Sequence, residues 1–180
     1  MNAPHLDLVT LQKEVFHHVS NNFQIIQSMI RLVSRDPSVI DVASELEQRI
    51  QLLSIAHTAQ NCFDSAAIHS IETALPNLIL GVQRGGFLLG RQIVQDVSCS
   101  PLSVQRTYAV LHVLVEVLRV LNRSTARNIV IALSDDELVV SSDAEPIPLN
   151  ESTIALTAAF ARELGTAPTW SDTGLTLKLR

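Results

Sequence analysis

Near the N-terminus, apolar residues recur every three or four positions, at Val15, Phe16, Val19, Phe23, Ile26, Ile30 and Val33. That spacing predicts a helix. Residues 6–34 contain no Gly or Pro, and at 1.5 Å per residue such a helix is roughly 40 Å long. Asp36-Pro37 ends it, because the residue before proline avoids the helical region. Ser38 then reads as an N-cap, with Asp41 three residues on in a near capping box. A second helix follows from Val39 to about Cys62, with Val42, Leu46, Ile50, Leu53 and Ala56 on one face. So short a link makes the two helices an antiparallel hairpin.

The pattern changes after Phe63. A helix is expected from Ile68 to about Val82, and "RGGFLLGR" (residues 84–91) reads as a loop. "QIVQDVS" alternates like a strand, and Pro101 is a plausible first residue of a helix ending near Leu121. "NIVIAL" and "ELVVSS" flank a polar turn and predict a hairpin. Glu151–Leu164 is expected to be a helix closed by Gly165. "PTWS" and "GLTLKL", joined by "DTG", predict a terminal hairpin. The fold class is α+β: a helical hairpin over residues 1–63, then helices laid on one mostly antiparallel sheet over residues 64–180.

The N-terminal helix has too much apolar surface for one neighbour. Its polar strip is narrow: Thr10, Lys13, Glu14, His17, Ser20, Asn21, Gln24, Gln27, Ser28 and Arg31. A surface helix ordinarily shows the reverse proportion. Each large apolar side chain left in water forgoes about 1.5–3 kcal/mol. Two chains pairing their hairpins into a dimeric four-helix bundle would cover it. The alternative is that the C-terminal domain folds back over the surface. His17 lies in the polar strip, one turn from Glu14 and Asn21, and is expected to face water. His18 lies about 100° further round, in line with Leu11, Ile25 and Leu32, at the edge of the bundle.

Composition narrows the function classes. The formal net charge is −5 and the basic residues are scattered, so a nucleic-acid partner is not expected. Cys62 and Cys99 form neither a metal-ligand pair nor a disulfide framework, which fits a reducing compartment. The first ten residues lack the features of a signal peptide, and no run reaches the ~18 apolar residues of a membrane span. The expectation is a cytoplasmic protein without a membrane partner. His5, His57, His69 and His112 show no metal-ligand spacing. Neither a P-loop nor a dinucleotide fingerprint is present.

The polar strip resembles a known signature. Glu14-Val15-Phe16-His17-His18-Val19-Ser20-Asn21-Asn22-Phe23-Gln24 is similar to E-[VI]-x-H-R-V-K-N-N-L-Q. That motif belongs to the dimerisation and phosphoacceptor domain of a subgroup of sensor histidine kinases. The second helix of that family carries E-L-x-x-R-I-x-x-L-x-x-V-H. Here Glu45-Leu46, Arg49-Ile50, Leu53 and His57 stand at that spacing. The resemblance implies that His17 is phosphorylated. It departs at His18 and Ser20, where the family has Arg and Lys.

In such kinases an ATP-binding (Bergerat-type) α/β sandwich follows, and the order after residue 64 resembles it. Glu116 falls on the Glu of the family's E-L-x-x-N-A, but the Asn that holds magnesium is Val120, which offers no oxygen ligand. Asp143 stands where an Asp would read adenine, without the glycines of D-x-G-x-G. "ESTIALTAAFARELG" runs straight into helix where a glycine-containing lid is expected. The cluster "GVQRGGFLLG" reads as a helix-ending loop. An intact acceptor helix with a degenerate nucleotide domain resembles dimeric histidine phosphotransferases.

That resemblance implies a phosphorelay. His17 takes a phosphoryl group from the receiver-domain aspartate of one response regulator and passes it to another, with Glu14 and Asn21 as the accompanying site residues. It implies no intrinsic cofactor, Mg²⁺ being brought by the partner receiver. Two other readings stay open: a divergent but active sensor histidine kinase, and a non-catalytic scaffold that binds receivers.

Overall fold

The computed structural model describes residues 22, 25–26, 39–61, 71–144 and 146–179. The chain divides into two compact units, Met1–Leu46 and Glu47–Arg180. In the first, Asn22, Ile25 and Ile26 are helical, as are residues 39–46. Both segments fall where the periodicity predicts helix. The rest of the segment expected to form the N-terminal helix, and with it the expected hairpin and its pairing, lies outside the described residues.

Helix α1 spans Val39–Asn61, and its residues from Glu47 onward belong to the larger unit. There follow α2 (Ile71–Arg84), β1 (Gln92–Ser98), α3 (Val104–Asn122), β2 (Asn128–Ser134), β3 (Glu137–Ser142), α4 (Glu151–Glu163), β4 (Pro168–Ser171) and β5 (Gly174–Lys178). Among the described residues this is a mixed α+β chain with four helices and one five-stranded sheet. The strand order is β1-β2-β3-β5-β4. β1 runs parallel to β2 with α3 as the crossover between them, and every other pairing is antiparallel. Both hairpins expected from the sequence, β2–β3 and β4–β5, are present.

α3 is the centre of the core. Every residue from Ala109 to Leu121 is buried. A helix apolar on all sides needs neighbours on all sides. β2 and β3 supply one: Ile129, Ile131, Leu133, Leu138 and Val140 are buried, alternating with exposed or half-buried positions. α4 supplies another through Leu156 and Phe160, and α2 a third through Leu75, Leu78 and Val82.

Element ends follow local chemistry. The sequence places the start of α3 at Pro101, but the helix begins at Val104 with Ser103 as N-cap. The Ser103 hydroxyl accepts the Arg106 N–H at 3.3 Å, which meets one of the helix's unpaired amides. Ser100, which would cap a helix with Pro101 as its first residue, is instead bonded to the Asp135 carboxylate. At the end of α4, Thr166 N–H donates to the Ala161 carbonyl and Gly165 N–H to that of Arg162. This is a Schellman motif, and Gly165 takes the φ of +75° that it requires.

Candidate functional site

The three residues that the sequence assigns to the reacting site, Glu14, His17 and Asn21, lie outside the described residues, as does His18. What the structure does place is the second-helix motif and the positions that the resemblance aligns with a kinase's nucleotide pocket.

Among the described side chains of α1, the buried ones are Arg49, Leu52, Ala56 and Ala59, spaced three or four apart. Of the face that the sequence singles out, Ala56 is buried, but Ile50 and Leu53 are not. Ile50 is 45% exposed and Leu53 half-buried. The larger unit therefore takes one side of α1 and leaves Ile50 on another.

Arg49 is completely buried. Its Nη2 donates to the Ser152 hydroxyl at 2.9 Å, and its Nε lies 3.4 Å from Glu116 Oε1. Glu116, 1% exposed, also meets Arg119: Nε donates to Oε2 at 3.1 Å, and Nη2 lies at 3.1 Å from the same oxygen. Arg119 Nη2 in turn donates to Thr153 Oγ1 at 2.5 Å. The result is a polar ladder through the core, from Ser152 through Arg49, Glu116 and Arg119 to Thr153. It ties α1, α3 and the first turn of α4 together. Burying charge is tolerated only when it is paired and hydrogen-bonded, and each member here has a charged or hydroxyl neighbour. Sequence reasoning found Glu116 and Arg49 separately, as motif positions, and missed that they meet. The available signal was an arginine inside a buried helical stripe, with Glu116 and Arg119 at i,i+3 in an otherwise apolar helix.

Val120, one turn beyond Glu116, is 2% exposed and offers no ligand. Asp143 is exposed, and its carboxylate is engaged. It accepts the backbone N–H groups of Arg127 (2.7 Å) and Asn128 (3.0 Å) and the Asn128 amide (2.7 Å). The backbone bond from Asn128 and that from Arg127 hold the carboxyl below the usual carboxylate range. Asp143 thus pins the start of β2 to the end of β3.

The glycine cluster is a helix-ending loop, as the sequence indicates. Gly86, Leu88 and Gly90 take positive φ. Leu88 N–H donates to Asn122 Oδ1 at 2.8 Å. The Arg91 guanidinium donates to the carbonyls of Leu121, Asn122 and Ser124. The loop thereby satisfies the carbonyls at the end of α3. Burial lowers the Arg91 pKa, with Asp143 acting in the opposite sense.

A ring stack joins α1, α3 and α4 beside the ladder. His57 Nδ1 is hydrogen-bonded to the Tyr108 hydroxyl at 2.7 Å. Tyr108 meets His112 edge-on at 4.6 Å, and His112 stacks on Phe160 at 4.9 Å. Burial first, and the neighbouring His57 second, push the His112 pKa down to about 3. It is therefore neutral across the physiological range. No group of three or more His, Cys, Asp or Glu suited to a metal ion occurs among the described residues.

Residues 14–78 match the HisKA_2 histidine kinase family. No match was found among curated proteins. Two similar solved structures are histidine kinases. The blue-light activated histidine kinase EL346 of Erythrobacter litoralis is 17% identical, with a TM-score of 0.59 over 95% of this chain and 62% of that one. The Acinetobacter baumannii histidine kinase AdeS is 14% identical, with a TM-score of 0.49 over 90% and 96%. The chain thus spans about three-fifths of the length of the EL346 kinase. The likeness to EL346 is one of fold.

Proposed function

We propose that the chain is a dimeric histidine phosphotransferase that carries a phosphoryl group on His17 between receiver-domain aspartates of response regulators. The observation that carries this reading is the state of Glu116. The carboxylate aligned with the kinase pocket is sealed between Arg49 and Arg119, and the residue one turn on, where magnesium would need an oxygen, is the buried Val120. His17, by contrast, falls inside the segment that matches the histidine kinase family.

The chemistry needs little from this chain. Neutral imidazole, with a reference pKa near ~6.5, is a nucleophile at cell pH. One ring nitrogen of His17 attacks the phosphorus of a receiver's aspartyl phosphate in line. The N–P bond forms as the O–P bond breaks, and the aspartate departs as carboxylate. The transition state is loose, so positioning and charge neutralisation dominate, and the Mg²⁺ that supplies the latter belongs to the receiver. Glu14, one turn away, accepts a hydrogen bond from the other ring nitrogen and fixes the tautomer, while Asn21 orients the incoming group. The exposed Ile50 side of α1 is surface that pairing of two hairpins would cover.

The family match favours a second reading, an active histidine kinase with a divergent pocket. Labelled phosphoryl transfer separates the two. Incubated with a phosphorylated receiver, the wild-type chain should take up label, His17→Ala should take up none, and His18→Ala should keep at least part. Labelling from ATP alone would establish the kinase. Receiver binding without label on the chain would leave only a scaffold.

A further inference from the structure

We propose that the larger unit braces α1: Arg49 and His57 clasp that helix to α3 at two points, and the clasp fixes its register and rotation. The clasp stands on geometry alone. Its use, to hold the phosphoacceptor hairpin steady for a docking receiver, rests on the phosphotransfer reading.

Arg49 and His57 both belong to the second-helix motif, and the proposed chemistry uses neither. Each reaches α3 with a long side chain. Arg49 Nε lies 3.4 Å from Glu116 Oε1, and His57 Nδ1 is hydrogen-bonded to the Tyr108 hydroxyl at 2.7 Å. Arg49 and His57 are eight residues apart, and so are Tyr108 and Glu116, in the opposite order. A step forward along α1 is therefore matched by an equal step back along α3. That is the relation of two antiparallel helices, with the anchors a little over two turns, about 12 Å, apart. Sliding α1 by one turn, about 5.4 Å, would part both pairs at once. Turning it by one residue, about 100°, would bring exposed Ile50 and Thr58 toward α3 in their place.

The apolar contacts of α1 do not supply that precision. Its other buried side chains, among those described, are Leu52, Ala56 and Ala59, one large and two small. Setting register is the best-attested use of buried polar pairs, because a slipped helix strands charge in the core. Here a slip would leave the Arg49 guanidinium buried away from its carboxylate. The two anchors differ in kind. Arg49 and Glu116 are sealed in the core, whereas His57 is exposed and Tyr108 half-buried. The outer anchor therefore opens first and the inner one persists. α1 runs unbroken from Val39 to Asn61, so a hold on its later turns steadies the helix as a whole. Glu116, the position that the resemblance aligns with a nucleotide site, serves as the inner anchor, and the larger unit has a use that needs no nucleotide.

Hydrogen exchange of the full chain, read by mass spectrometry, tests the clasp. Tyr108→Phe and His57→Leu should each speed exchange over residues 54–61 about two- to tenfold, the loss of one hydrogen bond. Residues 112–122 should keep the wild-type rate. His57→Asn retains an acceptor near the Nδ1 position and should stay close to wild type. Arg49→Met leaves Glu116 paired with Arg119 and should speed exchange over all of residues 47–61; if it does not fold, the outer-anchor variants decide. Wild-type exchange over residues 54–61 in both Tyr108→Phe and His57→Leu, or an equal rise over residues 112–122, would overturn the clasp. Uptake of label on His17 from a phosphorylated receiver tests the brace. It should be slower in His57→Leu than in wild type and restored in His57→Asn. Unchanged uptake in variants whose α1 exchanges faster would overturn the brace. No label on the wild type would remove the phosphotransfer reading and the brace with it, while the clasp still stands or falls on exchange.

Discussion

At the residue scale, the cost of keeping a histidine in the core is measurable. His112 stacks between Tyr108 and Phe160, and its pKa is pushed down to about 3, whereas in the unfolded chain it returns to ~6.5. Between those values the unfolded chain binds a proton that the folded chain refuses. Stability therefore falls as pH falls through that window, by about 1.4 kcal/mol per pH unit from this group alone. Above pH ~6.5 both states leave the ring neutral and the slope from His112 vanishes. Urea denaturation from pH 7 to pH 4 should show the decline, and His112→Leu should flatten it relative to wild type even if the variant is less stable at pH 7. An acid limb as steep in His112→Leu as in wild type would mean that other groups cause it.

At the element scale, the sheet depends on one close backbone approach. Gly174 opens β5 opposite Ser141 of β3, and a Cβ placed there would lie 1.9 Å from the Val140 carbonyl oxygen. Gly174→Ala should therefore force β5 away from β3 and destabilise the protein by about 1–3 kcal/mol, the range for overpacking. A thermal melt reads this directly, and an unchanged melting temperature would show that the strand ends yield without cost. The same strand illustrates what the sequence makes legible. The "DTG" turn and the alternation on either side are local signals, and they identify β4–β5 just as "SDD" identifies β2–β3. The Schellman glycine at 165 and the loop at residues 84–91 are local too. The partnership of β3 with β5, and the parallel run of β1 beside β2, are not, because strand order is decided by which apolar faces meet across long loops. The pairing of Arg49 with Glu116 is hidden for the same reason. Periodicity marks each as lying on a helix, but only packing of α1 against α3 brings the two charges together. The buried side of α1, at Leu52 and Ala59 rather than Ile50, shows that a helix with apolar residues on several sides does not announce which side its own domain will take.

At the scale of the whole molecule, three elements converge on Glu116, the position that the resemblance aligns with a kinase's nucleotide site. α3 carries Glu116 and Val120, α1 brings Arg49 onto that carboxylate, and α4 seals the far side through Thr153 on Arg119 and Phe160 on His112. A nucleotide triphosphate needs backbone amides or cations that approach its phosphates, and a metal with oxygen ligands. Here the guanidinium groups of Arg49 and Arg119 face a carboxylate and two hydroxyls within the core. Opening that ladder would expose a buried carboxylate and two buried arginines, and breaking such a network costs several kcal/mol. ATP would have to supply that free energy out of its own binding, which lowers its apparent affinity by the same amount. On the proposed reading, calorimetric titration of the chain with ATP and Mg²⁺ should give no saturable heat, and the melting temperature should not move with added nucleotide. Saturable binding in the micromolar range would show that the ladder opens for nucleotide, and the kinase reading would then replace the phosphotransfer one.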